Sequence, residues 1–197
     1  MAIRVVIFDY DGTVINSFLS ASRISALAKK FCIMYMKWCY PLLEMLEIIL
    51  HMQWPLHAAG MTCIEYMLDK NLLVGIATER SLAGLVVSAR RSGMAIGALH
   101  FIRVRKSVLD AWVRYRLGTV FHAPSGKDGP RGFHTLIQWL HEHGVSPVEV
   151  LMVGDDDTDR RAAALHGFSF VMVDRHHPNF EPVYRLVAGA TCDVPGA

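Results

Sequence analysis

Cysteine is scarce in this chain and shows no paired spacing. Cys32, Cys39, Cys63 and Cys192 form no CxxC pair. The amino terminus already reads as a strand, so no secretory leader is expected, and the four thiols are expected to be reduced in a cytoplasmic protein. Long apolar runs are also absent. The nearest approach to the ~18 residues needed for a membrane span is residues 31–50, which Lys37, Pro41, Glu44 and Glu47 interrupt. Charge of one sign is missing too: 20 Lys and Arg against 18 Asp and Glu leave a net charge of +2, which gives no pull toward nucleic acid. No internal repeat or low-complexity tract occurs. The ten histidines make the charge sensitive to mild acid, but none falls in a metal-binding spacing such as HExxH. His141 and His143 straddle a helix end and His176-His177 precede Pro178, all read as surface residues. What remains is 197 residues, 52% hydrophobic and 19% charged, enough for a sizeable core and one domain with a small insertion.

Strand-like and helix-like segments alternate, which predicts an α/β fold, a doubly wound parallel sheet with helices on both faces. Strands are expected over 3–8, 72–77, 99–104, 150–153 and 168–173. Helices are expected over 82–92, stopped by Gly93, over 133–143, closed by Gly144, and over 160–166, stopped by Gly167. Pro178, Pro182 and Pro195 predict a mostly irregular tail. A hairpin is expected around 114–121, in a basic stretch that includes Arg103, Arg105, Lys106, Arg114 and Arg116.

Two acidic clusters carry the chemistry. The apolar run Val5-Val6-Ile7-Phe8 ends in Asp9-Tyr10-Asp11-Gly12-Thr13. Residues two apart in an extended segment point the same way, so Asp9 and Asp11 project together beyond the strand. Two like charges there are costly unless a cation lies between them or one is protonated. A second apolar run, Val150-Leu151-Met152-Val153, ends in Gly154-Asp155-Asp156-Asp157-Thr158-Asp159. Ligands of open α/β sheets bind beyond the carboxyl ends of the strands, so neighbouring parallel strands would bring both clusters to one edge. Oxygen-only ligands of this kind suit Mg²⁺, held by carboxylates together with a substrate phosphate.

Phe8-Asp9-Tyr10-Asp11-Gly12-Thr13-Val14 resembles the first motif of the haloacid dehalogenase-like hydrolases, DxDGTx, and Val153-Gly154-Asp155-Asp156-Asp157-Thr158-Asp159 resembles their fourth, GDxxxD. The resemblance spans most of the chain. It implies a Rossmann-like core over 1–17 and 61–197, with residues 18–60 inserted as a small helical cap. It also implies Mg²⁺ as cofactor and a phosphomonoester hydrolase that works on a small phosphorylated metabolite through an aspartyl-phosphate. Asp9 is then the nucleophile and Asp11 the general acid and base. The metal would be held among Asp9, Asp11 (also through its backbone carbonyl), Asp155, Asp156 and Asp159. Asp155 is the direct ligand, Asp156 would replace or join it, and Asp159 would hold a metal-bound water or a lysine. Asp157 reads as a helix N-terminal residue. Family dehalogenases lack an Asp at position 11, so its presence favours phosphoryl transfer.

Leu73-Val74-Gly75-Ile76-Ala77-Thr78 resembles the second motif, a strand ending in a hydroxyl that binds phosphoryl oxygens. Gly12, Thr13, Thr78, Glu79 and Lys127 form the expected phosphate-binding set. Thr13 also reads as a plain turn residue, and Glu79-Arg80 either as residues that orient substrate or as a solvated ion pair. Lys127 stands for the third-motif lysine that balances the negative charge of nucleophile and phosphate. Its loop, Lys-Asp-Gly-Pro-Arg-Gly, departs from the family's Lys-Pro and leaves Lys106 and Arg131 as rivals. Phe31, Met34, Tyr35, Trp38, Met45, Ile48, Met52 and Trp54 give 31–54 an apolar face. It is either the buried side of a two-helix cap or an exposed surface for a homodimer or a hydrophobic substrate. Two other functions remain open: a phosphomutase with the same aspartate pair, and a non-catalytic protein that docks a partner through 31–54.

Overall fold

The computed structural model describes residues 2–15, 56–105, 107, 110 and 117–191. The apolar 31–54 segment, with its breaks at Pro41 and Pro55, lies outside the described residues, as do Lys106, Cys32, Cys39 and Cys192. Cys63 is a buried free thiol.

Six strands form one wholly parallel sheet in the order β4-β3-β2-β1-β5-β6. They are β1 (Val5–Asp9), β2 (Leu73–Ser81), β3 (Phe101–Arg105), β4 (Thr119–Ala123), β5 (Val150–Gly154) and β6 (Ser169–Met172). The central strands β1 and β5 are buried throughout, as continuous apolar runs in a parallel sheet should be. Their side chains alternate between two cores. Val6 and Phe8 face α1 (Ala58–Asp69), α2 (Leu82–Ser92) and α5 (Glu181–Thr191), where Met67, Leu85 and Val183 meet them. Val5 and Ile7 face α3 (His134–Glu142) and α4 (Asp157–His166), against Leu136, Leu140 and Ala162. The sheet is therefore doubly wound. Among the described residues no helix is long and apolar enough to cross a membrane.

Helix α2 has the expected bounds. Ser81 caps its start, its Oγ accepting from the Gly84 N–H at 3.2 Å, and Gly93 ends it with φ +78°. Three segments depart from the expectations. Residues 119–123 are an edge strand in parallel register with β3, not an arm of a hairpin; residues 111–116 lie outside the described set. The tail holds helix α5. Pro182 sits in its first turn, where no backbone N–H is needed, Asn179 Oδ1 accepts from the Glu181 N–H at 2.9 Å, and Val183 and Val187 are buried. Strand β2 continues past Ala77 to Ser81, with a shift of register between them. Helix α1 runs across the 60/61 position.

The register matters most at the carboxyl end of the sheet. Asp9 pairs with Ala77 and Phe8 with Val153. The chain just beyond β1, Thr78 on β2, and Asp155 beyond β5 therefore emerge at one edge, as the two acidic motifs require.

Candidate active site

Beyond β1 the backbone turns back on itself. Val14 and Ile15 N–H both donate to the Tyr10 carbonyl, and the Gly12 N–H donates to the Ile15 carbonyl at 2.8 Å. Gly12 has φ +86°, and a Cβ there would collide with the Asp155 carboxylate and the Arg175 guanidinium. Glycine is thus required twice, by its conformation and by the close approach of charged groups.

Asp9, Asp155 and Asp159 come together, one carboxylate oxygen from each lying within 4.8 Å of the others. Lys127 is buried beside them. Its Nζ donates to Asp9 Oδ1 at 2.6 Å and to Asp159 Oδ1. Arg175, in the loop after β6, donates to Asp155 Oδ2 through Nε at 2.7 Å and Nη2 at 2.5 Å. The opposite oxygens, Asp155 Oδ1 and Asp159 Oδ2, are buried and have no hydrogen-bond partner among the described residues. Orphaned buried carboxylate oxygens need a cation or a proton. A donor set made wholly of oxygen, with its atoms this close together, fits a hard divalent ion such as Mg²⁺.

The other expected site residues divide. Asp11 is buried, but its carboxylate turns to Arg80, whose Nε lies 2.9 Å from both oxygens and whose Nη2 also donates to Oδ1. Thr78 is buried; its Oγ1 accepts from the Arg80 N–H at 3.1 Å and stands 3.5 Å from Asp11 Oδ2, a weak contact. The Thr13 hydroxyl is buried without a partner among the described residues. Asp156 caps α4, with Oδ1 accepting from the Thr158 and Asp159 N–H groups at 2.8 and 3.0 Å. Asp157 follows in the first turn, paired with Arg160 at 3.1 Å on the surface. Arg131 is exposed.

Glu79-Arg80 is not a solvated pair. Arg80 is 1% exposed and lies over the Tyr10 ring at 5.4 Å. Glu79 Oε1 instead accepts from Arg103 Nη1 and from the Lys127 N–H, both at 2.8 Å. Arg103, itself buried, also donates to the carbonyls of Thr78, Ser125 and Gly132 at 2.7–3.0 Å. It braces the second-motif loop against the Lys127 loop. From sequence Arg80 reads as a substrate-orienting or solvated residue, and Arg103 and Arg175 have no site reading. Their partners lie 69, 22–29 and 20 positions away, beyond any local pattern.

The electrostatics follow from burial. Burial raises the pKa of Asp9 well above the ordinary carboxylate value; the negative charge of Asp159 adds to this and Lys127 opposes it. Burial likewise raises Asp159, to about 6, with Lys127 holding it back. Asp155 is raised by burial against the pull of Arg175. Burial works against the Lys127 ammonium, yet Asp159, Asp9 and Glu79 outweigh it and raise its pKa.

A carboxyl whose pKa is higher folded than unfolded holds its proton more tightly in the native state, so stability is lost as pH rises through that interval. For Asp159 the interval runs from 3.8 to about 6, a loss of roughly 3 kcal/mol. A cation at the orphaned oxygens relieves it. Mg²⁺ at a hundredfold excess over its Kd contributes roughly 2.7 kcal/mol. At ~2–4 °C per kcal/mol for a chain of this size, adding Mg²⁺ to the metal-free protein is expected to raise Tm by about 5–10 °C at about pH 7.5, and by much less at about pH 5. An equal gain at both pH values, or none at either, would count against a metal site here.

Residues 126–177 match a family model described as HAD-hydrolase-like. No curated protein matches the chain in sequence. Solved structures do resemble it. CbbY from Rhodobacter sphaeroides in complex with phosphate aligns with TM-score 0.61 at 15% identity, over 87% of this chain and 86% of that one. A HAD-superfamily hydrolase from Ehrlichia chaffeensis aligns with TM-score 0.59 at 14% identity, over 97% and 98%. A dehalogenase with an intermediate complex aligns with TM-score 0.56 at 17% identity, over 91% and 89%. At such identities the likeness is one of fold, and that fold is the one the two aspartate motifs imply.

Proposed function

From the haloacid dehalogenase-like hydrolase fold as premise, we propose that this chain is a Mg²⁺-dependent phosphomonoester hydrolase that forms an aspartyl-phosphate on Asp9. The observation that carries the reading is the meeting of Asp9, Asp155, Asp159 and Lys127 at the end of β1, with a second carboxylate, Asp11, two residues on. A bound divalent ion would supply charge neutralisation between Asp9 and an incoming phosphate.

The Asp9 carboxylate attacks phosphorus, and the bond from phosphorus to the leaving oxygen breaks. Asp11 gives that oxygen its proton. Water then attacks the acyl phosphate, Asp11 takes a proton back, and inorganic phosphate leaves with Asp9 restored. Lys127 holds Asp9 in line and offsets the charge that gathers on the phosphoryl oxygens. Thr78 and Thr13 offer hydroxyls to the same oxygens. Both oxygens of Asp11 are engaged by Arg80, so Asp11 must turn away from Arg80 before it reaches a leaving group.

The neighbours include dehalogenases, whose reaction needs no proton for the departing halide; Asp11 is what favours phosphorus over carbon. An aryl phosphate assay with Mg²⁺ and with chelator, run beside halide release from a 2-haloacid, tests the choice. Phosphate release at least ~100-fold above the chelated rate is expected, the span of a lost electrostatic stabiliser, with no halide. Halide release alone would replace this reading with carbon chemistry, and no turnover on either would favour the binding protein.

A further inference from the structure

We infer that Arg175 is a positioning residue that makes Asp155 a one-oxygen ligand and so sets the acidic pocket to prefer a small octahedral cation over Ca²⁺. The inference rests on the metal-dependent reading above and deepens it.

Each carboxylate in the pocket has one oxygen tied to a basic side chain. Asp9 Oδ1 and Asp159 Oδ1 are tied to Lys127. Asp155 Oδ2 is tied to Arg175, which places both Nε and Nη2 on that single oxygen. Among the described residues, the oxygens without a partner are the opposite ones, Asp155 Oδ1 and Asp159 Oδ2. The side chains that carry them are nearly sealed, Asp155 at 2% and Asp159 at 1% exposure. The arrangement offers one oxygen per carboxylate.

That is the difference between the two common hard cations. Mg²⁺ demands near-ideal octahedral geometry and takes carboxylates one oxygen at a time, whereas Ca²⁺ is larger and readily takes both oxygens of one carboxylate. A guanidinium fork on Asp155 Oδ2 blocks two-handed ligation. Lys127 does the same for its two partners but belongs to the proposed chemistry. Among the described residues the Arg175 side chain pairs with Asp155 alone, so it can be tested separately. Gly12 supports the arrangement, because any Cβ there would drive the Asp155–Arg175 pair apart.

The charge of Arg175 repels every divalent cation, so removing it is expected to tighten binding of Mg²⁺ and Ca²⁺ alike. The ratio of their affinities isolates the geometric effect. Titration calorimetry of the full chain without substrate, using each metal alone, reads that ratio. Wild type is expected to prefer Mg²⁺. Arg175→Met, which frees Oδ2, should move the ratio toward Ca²⁺ by about tenfold, the low end of what an outer partner of a metal ligand is worth. Arg175→Lys, which keeps a donor and the charge, should stay near wild type. Thermal melts confirm that each variant is folded, and Arg175→Gln substitutes if the methionine variant is not. A ratio that moves less than about twofold in a folded methionine or glutamine variant, or as far in the lysine variant, overturns the role of Arg175. A wild type that binds Ca²⁺ as tightly as Mg²⁺ overturns it too. If wild type binds no divalent cation, the metal-dependent reading falls along with it; if metal binds and only the ratio fails to move, the hydrolase reading stands and Arg175 alone is removed.

Discussion

Asp9→Asn is expected to lower turnover of an aryl phosphate by at least about three orders of magnitude while leaving Tm unchanged or higher. The substitution keeps the shape of the side chain and an oxygen that can accept from Lys127, but removes the attacking charge. Most core substitutions that inactivate an enzyme also destabilise it. Here burial and the repulsion from Asp159 already disfavour the charge on Asp9, so neutralising it removes a native-state cost. Loss of rate without loss of stability therefore distinguishes a nucleophile from a structural carboxylate. The check is kcat with Mg²⁺ beside a thermal melt in chelator. Retention of more than a few per cent of the rate, or a Tm several degrees lower, would remove Asp9 from the role.

The parts of this fold that could be read from sequence are those where local pattern and tertiary environment agree. Strands β1 and β5 are apolar runs that stop at carboxylates, and the sheet buries the runs and presents the carboxylates. Helix α2 carries its own start and stop in Ser81 and Gly93. Where the two levels diverge, the sequence misleads. Strand β4 is a partly exposed edge strand with no alternation, so its sequence reads as part of a hairpin around 114–121 and not as a parallel edge strand. Helix α5 carries in its first turn a proline, Pro182, that reads as a breaker from sequence and as a tolerated first-turn residue once its place is known. The same holds at the site. The carboxylates announce themselves by clustering, whereas the arginines do not. Arg80 follows a predicted strand end and looks solvated because charged residues there usually are. In the structure the strand continues, Tyr10 packs against the guanidinium, and Asp11 becomes its partner from 69 positions away. A buried cation is legible only once the anion it neutralises has been placed.

Lys127 is the test of that last point, since an exposed loop lysine and a buried counter-ion predict opposite outcomes. Lys127→Met keeps the length of the side chain and removes its charge. Asp9 and Asp159 are then buried together without their shared cation, and breaking a buried pair from one side costs about 3–5 kcal/mol. At ~2–4 °C per kcal/mol, the Tm of the chelated protein should fall by roughly 6–20 °C near neutral pH. The loss should shrink on acidification, because the Asp159 carboxyl, already raised to about 6, takes up a proton and no longer needs a partner. Mg²⁺ should recover part of the stability by binding among the same carboxylates, but not the rate, since Lys127 also holds Asp9 toward phosphorus. Turnover is expected to fall by at least about a hundredfold even at saturating metal, the scale of losing one preorganised stabiliser. Arg131→Ala in the same loop, where the side chain is exposed, should stay within about 0.5 kcal/mol of wild type. Melts at two pH values with chelator and with Mg²⁺, alongside kcat, separate these terms. A Lys127→Met protein that melts with wild type would mean that Asp9 and Asp159 are neutralised by some other group, and the third-motif role would pass from Lys127.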